Sequence, residues 1–218
     1  MPLDLEEQEQ LDNLKVFWVK YRSLIMGGLT ACLLAYSAYT GFQWWKNHQA
    51  VEASKLYETL ISAISKGDNE QAFKATQDMQ EQFSRTSYAS MASLVAAKVA
   101  FELGDVSKSE SFLRWASAHS SDDGYLGVAK MRLVSQLIEQ GGDQAYSEAD
   151  QILKEKPISG FESLWLERRG DWYLVQKKTS EARNSYQEAW KKLAQLPEVP
   201  EEARKLLKVK LDSVGGLE

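Results

Sequence analysis

Ser23 to Trp45 (SLIMGGLTACLLAYSAYTGFQWW) carry no charge over twenty-three residues, the only such run in the chain, and this segment limits what the rest can become. A helix of that length reaches roughly 35 Å at about 1.5 Å per residue, against a hydrocarbon core of about 30 Å. Its most apolar part is Leu24 to Ala35. Trp18 and Tyr21 precede the run, and Tyr36, Tyr39, Phe42, Trp44 and Trp45 crowd its end, so aromatic rings stand at both levels where a bilayer meets water. The pattern predicts a transmembrane helix over residues 23–45 in contact with the lipid bilayer, between a tail of residues 1–22 and a soluble domain of residues 46–218. A cleavable signal sequence would place small residues after the apolar stretch, where this chain has bulky aromatics and only a poor site at Ala35-Tyr36-Ser37. A buried helix of a soluble protein would explain the apolarity but not the paired aromatic belts.

Basic residues beside the span set its expected direction. Lys15, Lys20 and Arg22 precede it, and Lys46 and Lys55 follow, a bias that favours a cytoplasmic N-terminus. The acidic cluster Asp4, Glu6, Glu7, Glu9 and Asp12 counts for little in that rule. In a bacterium this makes a single-pass inner-membrane protein with its C-terminal domain in the periplasm. Gly27, Ala31, Ala35 and Ala38 share one stripe of the span, a face small enough to pack closely against another membrane helix. Cys32 lies within the span and reads as a small packing residue.

The averages conceal this segment. A mean hydropathy of −0.42 describes a soluble protein, and 44% hydrophobic with 26% charged residues excludes disorder and multiple membrane passes. Four prolines, thirteen glycines and one cysteine exclude a collagen-like, disulfide-stapled or cysteine-ligated metal protein. A net charge of −5 argues against general nucleic-acid binding. From residue 46 onward there are 23 basic and 26 acidic residues, a near balance that disfavours simple electrostatic capture.

Downstream of Trp45 the periodicity is helical. Leu56, Tyr57, Leu60, Ile61 and Ile64 mark one apolar face, and no alternating β-branched run occurs between turn signals, so the domain is expected to be all-α. Gly67, Gly104, Gly141-Gly142 and Gly160 each follow such a stretch and are expected to end helices in left-handed caps. Gly67 to Gly104 spans 37 residues and Gly104 to Gly142 spans 38, the spacing of a repeated helix pair. The last unit is the clearest. Gly170, Tyr173, Ala182, Tyr186 and Ala189 alternate small and aromatic residues as a tetratricopeptide repeat does, the small ones letting two helices approach while the tyrosines fill the space beside them. Degenerate copies follow the same ruler at Leu60, Ala63, Ala72, Thr76 and Met79, and at Ala97, Ala100, Ser109, Leu113 and Ala116. A third pairs Ser135 and Ile138 with Ala149 and Leu153 across a longer turn. Glu201 to Val214, after Pro197 and Pro200, is expected to cover the open end of the stack. A generic helical bundle is the alternative to a solenoid.

Catalytic chemistry has little support. His48 and His119 have no His or Cys at the next helical turn, and the carboxylates Asp122, Asp123, Glu148 and Asp150 read as solvated turn and helix residues. No phosphate-cradling glycine loop and no nucleophile with its base is visible, so no catalytic, cofactor or metal site is expected. Binding is better supported: the first helices of a stacked array form a concave surface. Tyr88, Met91, Leu94, Met131, Trp165 and Trp172 lie on those helices and are the candidate lining of a groove for partners or clients.

The organisation resembles the YfgM-type ancillary subunits of the SecYEG translocon. The resemblance is carried by the membrane exit Gly41 to Leu60 (GFQWWKNHQAVEASKLYETL, with Gly41, Trp45, Asn47 and Gln49), by Thr86 to Asp105, and by RRGDWYLVQKKTSEARNSY near the end. It implies a protein beside the SecYEG translocon that hands emerging secretory polypeptides to periplasmic chaperones, with a membrane-anchored peptidyl-prolyl isomerase chaperone as partner. The alternative is a tetratricopeptide scaffold that assembles another cell-envelope complex without touching clients.

Overall fold

The computed structural model describes residues 5–216, with side chains from Asp12 onward. Asp4 and the side chains of Glu6, Glu7 and Glu9, placed in the expected tail, lie outside the described residues. Among those described the chain is all-α, with no strand. The helices are α1 (Leu5–Ser65), α2 (Asn69–Gln82), α3 (Ser87–Glu102), α4 (Val106–His119), α5 (Asp123–Gln140), α6 (Asp143–Lys154), α7 (Glu162–Val175), α8 (Thr179–Leu193) and α9 (Glu201–Ser213). The chain divides into two units, Met1–Gln49 and Ala50–Glu218.

The helix does not stop at either aromatic group that flanks the uncharged run. From Lys46 to Ser65 the sequence contains neither proline nor glycine, so nothing ends the helix before Gly67. Within the first unit, residues 12–42 are exposed throughout, including Leu24, Leu29, Leu33 and Leu34. Among the described residues α1 alone is long and apolar enough to cross a bilayer.

In the second unit the helices pair in order. The last turns of α1 lay Leu60 and Ala63 against Ala72, Ala75 and Met79 of α2, with Ala89 and Ala92 of α3 closing that core. α3 packs on α4, α5 on α6 and α7 on α8, while α3 and α7 also touch α5, bringing the first helices of successive pairs side by side. Turn chemistry repeats with the pairs. Gly67 (φ +74°) and Gly104 (φ +79°) take the left-handed conformation, and the following N–H groups, of Asp68 and Asp105, reach back to the Ala63 and Ala100 carbonyls at 2.9 Å. Each aspartate then caps the next helix, accepting from Gln71 N and Lys108 N at 3.0 Å. In the fourth unit Lys177 (φ +61°) occupies the glycine's place, with Lys178 N bonded to Tyr173 O. Gly160 departs from expectation: α6 ends at Lys154, and Gly160 lies in the connection before α7, its N–H donating to Glu162 Oε2 at 2.9 Å.

Gly170 is where small size matters most. A Cβ there would stand 2.3 Å from the Tyr186 ring, so α7 and α8 approach only because no side chain intervenes. Tyr186, Ala182 and Ala189 are fully buried, and Tyr173 packs partly buried against the same core. Gly170→Ala is expected to destabilise the domain by about 1–3 kcal/mol, because overpacking against a buried ring exceeds the helix-propensity gain of roughly 1 kcal/mol. Urea unfolding measures it; a variant at least as stable as the parent would refute the close approach.

A charged cluster joins the last helix to the stack. Lys210 Nζ on α9 donates to Glu167 Oε1 at 2.7 Å and to Asp171 Oδ1 and Oδ2 at 2.8 and 2.7 Å. Arg168 Nη1 reaches the same two carboxylates at 3.0 and 2.7 Å, and the Tyr186 hydroxyl donates to Asp171 Oδ1 at 2.7 Å. Burial, reinforced by the acceptor Asp171, pushes the Tyr186 phenol well above its ordinary pKa of 10.0, so it remains a donor. Leu207 and Leu211 meanwhile bury the apolar side of α9 against α8, as a terminal cap requires.

Candidate functional site

The first helices of the pairs present a stripe that is not fully used by packing. On α3 the residues at helical spacing are Tyr88, Met91, Val95 and Lys98; on α5 they are Tyr125, Val128, Arg132, Ser135 and Glu139. Tyr88, Met91, Val95, Tyr125 and Val128 are half-buried, whereas Lys98, Arg132 and Glu139 are exposed. At the N-terminal end of this face the Tyr57 ring of α1 lies 5.7 Å from that of Tyr88. Burial raises the pKa of the Tyr57 phenol, and the neighbouring Tyr125 and Tyr88 add to the effect, so one tyrosine from each of three successive first helices gathers there. Such rings offer apolar area and a hydroxyl at small entropic cost, which suits contact with varied chains.

Towards the C-terminal ends of α3 and α5 the face opens into a furrow. One cavity of about 230 Å³ lies between Lys98 and Phe101 of α3 and Arg132, Gln136 and Glu139 of α5, with Ser109 and Leu113 of α4 also lining it. A second, of about 490 Å³, shares Phe101, Gln136 and Glu139 and extends to Gly104, Val106 and Glu110 at the α3–α4 turn.

The six candidate groove residues divide. Tyr88 and Met91 stand on the half-buried stripe. Leu94, Met131, Trp165 and Trp172 do not: they are 8%, 2%, 0% and 8% exposed and belong to the central core. The two tryptophans of α7 turn towards α6 of the preceding pair. The Trp165 indole N–H donates to Leu153 O at 3.3 Å, and the Trp172 ring meets Tyr146 edge-on at 5.2 Å. Sequence reasoning assigned Tyr57 only to an apolar helix face and missed Tyr125 and Phe101, although the tyrosines near the starts of α3 and α5, Tyr88 and Tyr125, were a usable signal. It also missed Gly127, where a Cβ would lie 2.6 Å from the Phe161 ring and where the third and fourth pairs therefore meet closely.

In the first unit Gly27, Ala31, Ala35 and Ala38 are exposed, and a Cβ at Gly27 would meet nothing within 4 Å. His48 stacks on Trp44, and His119 stacks on Trp115 while its Nδ1 lies 2.9 Å from Trp115 O. Among the described residues no group of three or more His, Cys, Asp or Glu is arranged to hold a metal.

The helix-pair geometry agrees with a comparison of families: the pattern of the tetratricopeptide repeat-like domain family matches residues 15–216. The chain belongs to that family. Curated relatives extend the likeness over almost the whole length. A protein of Neisseria gonorrhoeae is 29% identical over 215 residues, covering 98% of this chain and 100% of the relative; one of Haemophilus influenzae is 29% identical, covering 90% and 94%. A third, of Escherichia coli K12, is 24% identical over 83% of this chain and 85% of its own. All three are named ancillary SecYEG translocon subunit, the family that the membrane exit and the last repeat resemble. No solved structure matches the chain significantly.

Proposed function

We propose that this tetratricopeptide-like protein is a non-enzymatic ancillary subunit of the Sec translocon. Residues 23–45 of α1 cross the bacterial inner membrane, residues 1–22 are cytoplasmic, and the domain from residue 46 lies in the periplasm. There its first-helix face receives emerging polypeptides and passes them to a membrane-anchored peptidyl-prolyl isomerase chaperone. The observation that carries this reading is the near-full-length likeness to relatives named ancillary SecYEG translocon subunit, in a chain whose α1 has the length and composition of a membrane span.

Photocrosslinking in intact membranes from positions 88 and 91 tests it. The expected result is adducts with translocon subunits and with many nascent secreted chains; a single stable envelope partner and no nascent chains would favour the scaffold instead. The membrane contact has its own test. Gly27→Leu with Ala31→Leu adds bulk where nothing in the protein obstructs it, so α1 stays intact while a close helix contact is lost. Translocon recovery in mild detergent should fall several-fold, and unchanged recovery would remove the small-residue stripe from the interface.

A further inference from the structure

We infer that the furrow between α3 and α5 ends in a pocket for a cationic side chain, so that the polypeptide segment accepted there carries a lysine or arginine beside an apolar residue. The inference rests on the reading that the repeat domain binds polypeptides, and it names the chemistry of the segment.

Three features of the 490 Å³ cavity converge. Its charged lining is acidic: Glu110 and Glu139 contribute carboxylates, and no lysine or arginine lines it. Lys98 and Arg132 stand in the neighbouring cavity, which gives the furrow an acidic end and a mixed one. Lys98 is also paired with Glu102 at 3.6 Å. Behind the acidic end, Glu110 has a side chain only 5% exposed, and its Oε2 is held by Arg114 at 3.0 Å. That guanidinium is already shared, because it makes two further bonds of 2.8 and 2.9 Å to Glu148. Glu110 Oε1 and Gln136 Oε1 therefore remain buried acceptors without a donor. Gln136 is fixed in that sense: its Nε2 donates to Ser109 Oγ at 2.8 Å, and Ser109 donates onward to Ala97 O at 2.8 Å.

A buried acceptor without a partner is costly, and an incoming ammonium or guanidinium brings donors and opposite charge together. The third feature is the wall. Phe101 and Val106 are 44% and 36% exposed, an aromatic face for a cation and an apolar surface for its methylene stem or for the adjoining residue. A carboxylate would face Glu110 and Glu139 and is rejected. The pocket therefore selects by charge at one point, whereas the tyrosine end of the same face accepts side chains broadly.

The test uses the full chain in phosphatidylcholine nanodiscs, with empty nanodiscs as baseline, and fluorescence anisotropy of three labelled decapeptides: lysine alternating with leucine, glutamate in place of lysine, and serine in place of leucine. The lysine–leucine peptide should bind about tenfold tighter than either other peptide. Phe101→Ala with Glu139→Gln, both at exposed positions, should abolish that preference without changing the melting temperature. Glu110→Gln should weaken the lysine peptide while leaving the glutamate peptide's affinity the same or higher. Equal binding of the lysine and glutamate peptides, or a preference that survives the double variant, would overturn the pocket while leaving polypeptide binding intact. Binding of none of the peptides would overturn both.

Discussion

Trp165→Ala should lower the stability of the repeat domain by about 3–5 kcal/mol, the usual result of emptying the site of a fully buried indole. Trp165 is 0% exposed, and its ring fills the joint between the third and fourth helix pairs. Its indole N–H and Arg169 Nη2 both donate to Leu153 O, at 3.3 and 2.8 Å, so the tryptophan also satisfies a carbonyl in the last turn of α6. In a stacked array stability is the sum of each unit's own and of its interfaces with neighbours. Weakening one joint should therefore lower the melting temperature by roughly 10 °C and also separate α7–α9 from the preceding pairs as a distinct unfolding step. Calorimetry and circular dichroism read both effects. A variant that melts in one transition within a few degrees of the parent would mean the joint does not couple the two halves.

Asp171→Ala is the second large effect. Asp171 accepts from Lys210, Arg168 and the Tyr186 hydroxyl at once. Its removal leaves two cations sharing Glu167 and a buried phenol without its acceptor. Side chains in the cluster are about a fifth exposed or less, so solvent compensates only in part. A loss of about 3 kcal/mol is expected, because truncating one member of a largely buried ion cluster strands the others. Asp171→Asn should recover part of it, since the amide oxygen still accepts from Tyr186. Denaturant unfolding compares the three proteins; a loss below about 0.5 kcal/mol for the alanine variant would class the cluster with ordinary surface ion pairs.

Features that depend on neighbours in sequence were legible before the structure. The uncharged run needs only counting, and Gly67-Asp68 and Gly104-Asp105 carry in two residues both the left-handed turn and the next helix's cap. Gly170 with Tyr186 was legible because the repeat fixes their separation at 16 residues. What was not legible depends on rotation and on distant partners. Met91 and Leu94 are three residues apart on one apolar helix, yet one borders the open face and the other enters the core, because contacts with α4 and α5 decide which side of α3 is covered. Met131, Trp165 and Trp172 were drawn inward in the same way. The acidic pocket was hidden for a related reason: Glu110 looks like any charged helix residue until Arg114 is seen divided between it and Glu148, far along the chain. The continuity of α1 from the uncharged run into the first repeat was not legible either, because a change from apolar to polar composition marks a change of surroundings without showing whether the helix continues.

The cap cluster gives the molecule an order of completion in time. Chains fold from the N-terminus as they are synthesised, and here α1 already supplies the first helix of the first pair, so each later pair can be laid on a finished face. Glu167 and Asp171 are made some forty residues before Lys210. Until α9 arrives, Leu193 and Tyr186 belong to a core with one side open, and the two carboxylates lack their lysine. The last helix to emerge thus closes the array, and a chain cut short before residue 210 would display an unfinished apolar end, the kind of surface that quality-control proteases recognise.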